Sequence, residues 1–327
     1  MAQPESEALA DGVVLRGEPD LSLAGLSRVL RSQVLHFTSR TKRSNWSHHV
    51  LLALEMADGS TRKLRLKVCL GSTFGRSEVD YYMRDYLGLA DAPLVRCHDA
   101  QYAPAVGYHL LLDDLAATHH DRRSAPPTLE YGLAVARALA CMHRHHWQTV
   151  PAPPPAMLDR YFEEVRPGVA PMEAATGLAL RQRFDAHERA LRARWADARG
   201  MSLLHGDLNS TNVLTPKDSE ALVVFLDRQP FAWSLTHGLA VHDLAYFLVL
   251  WWPEDMRRVC EASIVKAWHA ALGQPDYAWQ RVQQDWALSV EQCLHVPLEW
   301  CSKPDTLARM RWLWEMQLGR VRAAMAL

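Results

Sequence analysis

The chain has 327 residues, of which 49% are hydrophobic and 22% are charged. This composition is typical of a soluble globular protein, and the length allows two lobes with substantial cores. The formal net charge of −1 gives no long-range field that would attract nucleic acid or anionic lipid, so neither is an expected partner.

Cysteine usage and the apolar segments favour a cytoplasmic location. The six cysteines show no CxxC pair and no zinc-like spacing with histidines, which is typical of reduced thiols in a cytosol. The N-terminal sequence MAQPESEALADG is acidic and lacks the apolar region of a secretory signal. The longest apolar run, LAYFLVLWW at residues 244–252, is too short to cross a bilayer and predicts a core helix. We therefore expect no membrane partner.

The first part of the chain is rich in predicted strands. HHVLLALEM and TRKLRLKVCL flank the turn pair Asp58-Gly59, and this pattern predicts a β-hairpin. Alternation in the second strand separates an apolar face from a polar face that carries Lys63, Arg65 and Lys67. SEVDYYMRDYLGL then predicts a helix from Ser77, and VGYHLLLDDL predicts a further strand.

From Pro127 onward the pattern becomes mainly helical. TLEYGLAVARALACMHRHHW has Thr128 as a helix N-cap and apolar residues at helical spacing. A strand-rich beginning and a helix-rich remainder predict an α+β fold of two lobes. We expect a small antiparallel-sheet lobe at residues 1–114 and a larger, mainly helical lobe at residues 115–327.

The segment LLHGDLNSTNVL places three polar side chains between apolar ends. The spacing of His205, Asp207 and Asn212 is that of a phosphoryl-transfer loop, in which a carboxylate accepts the substrate hydroxyl's proton and an amide oxygen holds Mg²⁺. The next predicted strand, LVVFLD, ends at Asp227, where a second metal ligand is expected. The alternative is a buried polar turn in which His205 and Asn212 bind only backbone groups.

HGDLNSTNVL, VVFLDRQ and VHDLAYFL resemble the catalytic loop, metal aspartate and following helix of the aminoglycoside phosphotransferase-like kinases. That superfamily includes choline, fructosamine, methylthioribose and ecdysteroid kinases and has a protein-kinase-like fold. The order of LLLDDL, ALACMHRHHW and HGDLNSTNVL most resembles the ecdysteroid-kinase-like branch. The resemblance implies Mg²⁺-dependent transfer of the γ-phosphate of ATP or GTP to a hydroxyl of a small metabolite or antibiotic.

The resemblance assigns roles to the polar residues of the loop and its surroundings. Asp207 would be the base and His205 the brace of the loop, while Asn212 and Asp227 would be the metal ligands. Asp243 in HDLA would brace the catalytic loop. His143 matches a histidine of the first large helix, although a buried structural histidine is the simpler interpretation.

The same resemblance assigns nucleotide contacts in the first lobe. Lys67 would hold the α- and β-phosphates with Glu78 as its ion-pair partner, and Asp80 and Asp85 are rival partners. A solvated lysine on an open strand face is the alternative for Lys67. Backbone groups of the LLLDDL segment would bind the adenine edge, and the residues concerned are Leu112, Asp113 and Asp114.

Two departures from the family pattern are visible. The segment expected to cover the phosphates, TSRTKRSNWSHH, contains no glycine, so side chains would replace backbone contacts unless the segment is only a solvated loop. The candidate side chains are Ser39, Arg40, Lys42, Arg43 and Ser44. Arg228 follows Asp227 where relatives often carry an aromatic residue, which leaves the packing beside the metal site open.

The substrate is addressed only by the composition of the C-terminal part. From Phe231 onward there are ten acidic residues, nine basic residues and nine tryptophans. This balance favours a sizeable, partly apolar alcohol such as a macrolide, nucleoside or sterol-like compound over a polycationic aminoglycoside. A nucleotide-binding pseudokinase is the alternative function, and the sequence indicates no oligomeric state.

Overall fold

The computed structural model describes residues 13–44, 46–149 and 154–325. The chain divides into two compact units, Met1–His120 with Leu226–Ala232 and Asp121–Phe225 with Trp233–Leu327. The N-terminal sequence MAQPESEALADG, which was interpreted as lacking a secretory signal, lies outside the described residues.

The first unit is built on a five-stranded antiparallel sheet with the strand order β1-β2-β3-β5-β4. The strands are β1 Val34–Arg43, β2 His48–Met56, β3 Thr61–Leu70, β4 Cys97–Ala103 and β5 Gly107–Asp113. Helix α1, Leu23–Leu30, begins at the N-cap Ser22, and α2, Ser77–Asp80, continues as one π-helical turn, Tyr81–Asp85. Residues from α1 and the strands β1, β2, β3 and β5 form one apolar core.

The predicted hairpin is present, because β2 and β3 pair across the Asp58-Gly59 turn. Gly59 has a φ of 82°, a left-handed conformation that glycine adopts without a steric cost, and Asp58 Oδ1 accepts a hydrogen bond of 2.9 Å from Ser60 N. On the predicted apolar face of β3, Leu64, Leu66 and Val68 are buried, whereas Leu70 at the end of the strand is 43% exposed. Lys67 is an exception on the polar face, since only 5% of its surface is exposed.

The first unit also contains a segment from much later in the sequence. Leu226–Ala232 belongs to it, so the unit does not end at a single point such as the predicted boundary after Asp114. Phe74 forms an antiparallel bridge with Phe231, and Gly75 N donates to Pro230 O at 2.8 Å. These backbone contacts tie the segment to the loop before α2.

The second unit is mainly helical. It contains a two-stranded sheet of β7, Met201–Leu203, with β10, His237–Leu239, and an antiparallel pair of β8, Val213–Pro216, with β9, Val224–Phe225. The short strand β6, His119–Asp121, spans the boundary between the units. The helices are α3 Leu129–His145, α4 Pro155–Val165, α5 Val169–Thr176, α6 Arg181–Trp195, α7 Val241–Trp251, α8 Glu254–Leu272, α9 Trp279–Gln292, α10 His295–Cys301, α11 Pro304–Arg309 and α12 Arg311–Met325.

Local signals account for the main features of this unit. Thr128 caps α3 as predicted, because its hydroxyl accepts a hydrogen bond of 3.2 Å from Tyr131 N. The apolar run at residues 244–252 lies mostly in α7, whose residues 241–250 are all buried. No helix within the described ranges is both long and apolar enough to cross a membrane. The predicted α+β fold, with an antiparallel sheet first and helices after it, is confirmed.

Candidate active site

In the first unit, Lys67 forms ion pairs with two acidic side chains, the buried Glu78 and the partly exposed Asp227. Its Nζ donates to both oxygens of Glu78 at 2.8 and 2.9 Å and to Asp227 Oδ1 at 2.7 Å. Strand β3 supplies the lysine, and the first turn of α2 supplies the fully buried glutamate. Although burial opposes the ammonium charge, the carboxylates of Asp227 and Glu78 raise the pKa of Lys67 above its usual value. The lysine therefore stays charged and fixed in position.

The other two candidate partners of Lys67, Asp80 and Asp85, form ion pairs with arginines. Asp80 pairs with Arg76 at 2.9 Å and with Arg84 at 3.1 Å. Asp85 pairs with Arg228 at 2.6 Å. Of Glu78, Asp80 and Asp85, only Glu78 forms an ion pair with Lys67 among the described residues. The sequence leaves these three candidate partners open, and the structure identifies Glu78.

Asp227 lies in a backbone conformation that few non-glycine residues adopt. Its φ is 54°, in the left-handed region, and its side chain is 40% exposed. The predicted strand is shorter than expected, because β9 covers only Val224–Phe225 and does not reach Asp227. An accessible carboxylate oxygen is a ligand that suits Mg²⁺, and this fits the metal-binding role predicted for Asp227.

Arg228 fixes the segment that follows Asp227. It is 1% exposed, its Nη1 donates to Asp85 Oδ2 at 2.6 Å, and its guanidinium carbon lies 5.4 Å from the centre of the Tyr81 ring. Ser77 Oγ also donates to Gln229 O at 2.6 Å. The residue that departs from the family pattern thus anchors the segment to the π-helical turn Tyr81–Asp85, which directly follows the turn that carries Glu78.

The predicted adenine-contact segment is held within the sheet. Leu112 is buried, Asp113 N donates to Arg96 O at 3.0 Å, and Asp114 N donates to Lys63 O at 3.0 Å. The N–H groups of Asp113 and Asp114 already have acceptors, so they could bind a base only by exchanging these bonds. The contact between this segment and a nucleobase stays a prediction.

The glycine-free loop between β1 and β2 is closed by serines. Ser44 N donates to Ser47 O at 2.8 Å, and the two hydroxyl oxygens lie 2.8 Å apart. Of the predicted phosphate contacts, Ser39 donates to Glu18 at 2.5 Å, while Arg40, Lys42 and Arg43 are exposed. Their role toward phosphates stays a prediction.

In the second unit, neutral groups donate hydrogen bonds to Asp207 in the loop at residues 205–212. Tyr246 OH and Asn209 Nδ2 donate to its Oδ1 at 2.9 and 3.2 Å. Asn212 Nδ2 donates to its Oδ2 at 3.0 Å and to its backbone oxygen at 2.8 Å. The buried His205 accepts a hydrogen bond of 3.3 Å from Asp207 N at its Nδ1. The structure therefore brings His205, Asp207 and Asn212 together, as the spacing predicts.

The fit of a metal to Asn212 follows from its hydrogen bonds. Its amide nitrogen donates to Asp207, and its amide oxygen accepts a hydrogen bond of 3.3 Å from Thr211 Oγ1. An amide oxygen has two lone pairs and is a suitable Mg²⁺ ligand. Asn212 belongs to the second unit and Asp227 to the first. In the described part of the chain, no three His, Cys, Asp or Glu side chains are grouped to hold a metal ion.

Asp243 at the start of α7 fixes the backbone of the loop that carries Asp207. Its Oδ2 accepts from His205 N at 2.7 Å, and its Oδ1 accepts from Gly206 N at 2.8 Å. Although burial opposes its charge, hydrogen bonding from His143 and the nearby backbone keeps the pKa of Asp243 below its usual value. Trp268 Nε1 donates to His143 Nδ1 at 3.1 Å, so His143 Nε2 carries the proton that faces Asp243 at 3.2 Å.

Residues 79–283 match the phosphotransferase enzyme family, and this segment is more than half of the chain and includes the loop at residues 205–212 and Asp227. The chain belongs to that family. None of the curated proteins matches the sequence. Lys67 and Glu78 precede the matched segment, so their assignment depends on the contacts described above.

Solved structures share the fold of this phosphotransferase at low identity. A protein from Thermobifida fusca, proposed to be a fructosamine-3-kinase, is 17% identical with a TM-score of 0.51, covering 94% of this chain and 100% of that one. An aminoglycoside-3′-phosphotransferase of type VIII is also 17% identical with a TM-score of 0.50, covering 82% of this chain and 98% of that one. The prediction of a phosphotransferase enzyme is confirmed at the level of the family.

Two neighbours of the site were not found by sequence reasoning. Tyr246 contacts Asp207, but its helix pattern indicates only a core position. His49 lies opposite Lys67 in the hairpin register, and burial, with Lys67 beside it, lowers the pKa of His49 to about 4. The register of the predicted hairpin could have identified His49, whereas no local signal identifies Tyr246.

Proposed function

We propose that this phosphotransferase moves the γ-phosphate of ATP or GTP to a hydroxyl of a small molecule, with Mg²⁺ as cofactor. The observation that supports the proposal best is the environment of Asp207. Its carboxylate accepts hydrogen bonds from Tyr246, Asn209 and Asn212, and these bonds fix its orientation. Such a carboxylate is suited to accept a proton from a bound hydroxyl.

Each group has one task in the proposed reaction. Asp207 accepts the hydroxyl proton while the hydroxyl oxygen bonds to the γ-phosphorus, and the bond from that phosphorus to the β–γ bridging oxygen breaks. Lys67 holds the α- and β-phosphates, and Glu78 orients its ammonium group. Asn212 and Asp227 would hold Mg²⁺, which would supply positive charge to neutralise the phosphates.

The substrate class is part of the same proposal. A partly apolar alcohol is favoured, either a metabolite or an antibiotic, because the second unit carries many tryptophans without an acidic excess. Several of these rings belong to the core, since Trp252, Trp268 and Trp314 are buried, whereas Trp312 is 66% exposed. The ecdysteroid-kinase-like branch, a cytoplasmic location and base contacts by the segment at residues 112–114 also remain proposals.

A transfer assay with radiolabelled nucleotide tests the function. Purified protein is given Mg·ATP or Mg·GTP with a panel of macrolides, nucleosides, sterols, sugars and aminoglycosides, and Asp207→Asn is the matched control. We expect label transfer to at least one alcohol by the wild type and a large loss in the variant. Nucleotide binding without transfer to any acceptor would favour the pseudokinase alternative, which the glycine-free loop supports.

A further inference from the structure

The second unit contains a cavity of about 320 Å³ that the proposed reaction does not use. Its apolar walls are formed by prolines and large aromatic residues at the ends of α3 and α7, among them Phe247, Trp251, Trp252 and Pro253. Its polar walls include Arg122, Tyr131 and Arg320. Protein pockets that bind small molecules usually have volumes of about 300–1,000 Å³, so this cavity is large enough for a compact ligand.

Arg320 is a partly buried cation on the wall of this cavity. Its Nη1 donates to Leu250 O at 2.8 Å, near the C-terminus of α7. It forms no salt bridge with any carboxylate of the described residues. Burial lowers the pKa of Arg320, which means that its charge is poorly compensated. A desolvated guanidinium without a counter-ion is stabilised by an anion that binds beside it.

Two residues of the wall, Tyr131 and Arg122, each carry a buried donor with unused hydrogen-bonding capacity. Tyr131 is 1% exposed, and its hydroxyl has no hydrogen-bond partner among the described residues; the same holds for Arg122 Nε. The other guanidinium nitrogens of Arg122 are used, since Nη2 donates to Pro126 O at 2.9 Å and Nη1 pairs with Glu220. Buried donors without acceptors are costly, so each favours a ligand that brings an acceptor.

Capping of α7 by Arg320 does not explain why Tyr131 and Arg122 also have unused donors. A cation at a helix C-terminus interacts favourably with the last carbonyl groups, and the bond to Leu250 O fits that description. The cap uses one N–H of Arg320 and leaves the Tyr131 hydroxyl and Arg122 Nε without acceptors. The coincidence of a cation and two unused donors in the wall of one cavity indicates a ligand.

We propose that this cavity binds a small organic anion, a carboxylate attached to a flat apolar ring. The carboxylate accepts hydrogen bonds from Arg320 and the Tyr131 hydroxyl, and the ring packs between the tryptophan and proline side chains. Ser210, three positions after Asp207 in sequence, also lines the cavity, and its carbonyl oxygen accepts a hydrogen bond of 3.0 Å from Arg122 N. The bound anion therefore lies against the loop that carries the proposed base.

Binding is measured with benzoate and indole-3-acetate as probes and with benzamide as the neutral analogue. Calorimetry on the full chain, without nucleotide or acceptor, keeps the result independent of the transfer reaction. We expect at least one carboxylate to bind with a Kd of about 1 mM or lower and benzamide to bind at least about tenfold more weakly, because it lacks the charge.

Two variants test the assigned contacts. Arg320→Gln should weaken carboxylate binding by about tenfold or more, and Tyr131→Phe by about three- to tenfold. Tyr131→Phe removes only a hydroxyl without a partner, so its melting temperature should not fall. Arg322→Gln, an exposed position on the same helix, is the matched control and should bind as the wild type does. The proposal is overturned if neither carboxylate binds below about 10 mM, or if both wall variants bind as tightly as the control.

Discussion

The two units hold the carboxylates of the candidate site in different ways. In the first unit the acids contact cations, since Lys67 lies between Glu78 and Asp227 and Arg228 pairs with Asp85. In the second unit the side-chain donors identified around Asp207 are neutral hydroxyl and amide groups. A cluster that receives phosphates needs fixed positive charge, whereas a carboxylate that accepts a proton needs orientation while its electron pairs stay available.

Substitutions in the two units should therefore have different effects on binding and stability. Removing a cation from the first unit leaves buried carboxylates without compensation, so binding and stability should change together. Removing a neutral donor from the second unit should mainly alter the position of one carboxylate. The following predictions test this difference.

The largest effect is expected for Asp207→Asn. The amide keeps the shape of the side chain and cannot accept a proton, so turnover should fall by roughly 10²- to 10⁴-fold. Nucleotide affinity should be nearly unchanged because the phosphates are assigned to the first unit. Steady-state kinetics and nucleotide titration measure both. Near-normal turnover in the folded variant would remove Asp207 from the role of base.

Lys67→Met should lower turnover and raise the nucleotide KM together, by about 10²-fold in kcat/KM, since the lysine acts in both ground and transition states. Glu78→Gln should have the same effect in milder form, because it orients the lysine. The double variant should be little worse than Lys67→Met alone, as expected of two residues that act as one unit. Strictly additive losses would contradict that coupling.

The third prediction concerns the metal and Asp227. Asp227→Ala should weaken Mg²⁺-dependent nucleotide binding by about tenfold or more, because a carboxylate ligand is lost. Calorimetric titration of nucleotide with and without Mg²⁺ measures the change. Asp80→Asn, an acid of the same unit with its own arginine partners, is the control and should bind normally. Equal losses in both variants would point to a general disturbance of the first unit.

Sequence reasoning succeeded where the determining signal is local. The Asp58-Gly59 turn and the Thr128 cap each act within a few residues, and the spacing from His205 to Asn212 lies within one loop. Burial of Lys67 was not predictable from alternation, which grouped it with solvated residues. It depends on Glu78 from the next helix and on Asp227, which is 160 positions away in sequence.

The assignment of residues 226–232 to the first unit could not be predicted from the sequence either. It depends on pairs such as Phe74 with Phe231 and Arg228 with Asp85, which are distant in sequence and follow no periodic pattern. Tyr246 contacts Asp207 from a helix whose pattern indicates burial alone. Contacts between segments that are distant in sequence depend on the packing of the whole unit. Local sequence patterns therefore do not predict them.

A fourth prediction extends the comparison to pH, because the core of the second unit also contains uncharged polar groups. Burial lowers the pKa of His242 to about 4, although Asp243 beside it acts in the opposite direction. The unfolded chain, with an ordinary histidine pKa near 6.5, binds the proton more tightly than the folded protein does. Stability should therefore fall as the pH falls below about 6.5.

Between pH 7 and pH 5, His242 should contribute about 2 kcal/mol to this loss in the free energy of unfolding. Urea denaturation at several pH values measures it, and His242→Gln should make the pH dependence shallower by that amount. His120→Gln, at an exposed position, is the control and should leave the slope unchanged. Equal slopes for all three proteins would mean that other groups determine the acid sensitivity.

The smallest effect is expected for Tyr246→Phe, which tests orientation by neutral donors most directly. The substitution removes the 2.9 Å hydrogen bond to Asp207 Oδ1, while Asn209 Nδ2 still donates to the same oxygen at 3.2 Å. A single hydrogen bond contributes about 0.5–1.5 kcal/mol net, so turnover should fall by about three- to tenfold.

The nucleotide KM and the melting temperature of Tyr246→Phe should stay close to those of the wild type, because the ring and its packing on α7 are retained. Tyr277→Phe, which removes a buried tyrosine hydroxyl bonded to Asp285 instead, is the matched control and should affect stability without a specific loss of turnover. If Tyr246→Phe turns over as fast as the wild type, the hydroxyl only satisfies a buried group, and the asparagines alone orient the base. If its nucleotide KM rises as in Lys67→Met, the separation between a cation-held phosphate cluster and a neutrally oriented base is wrong.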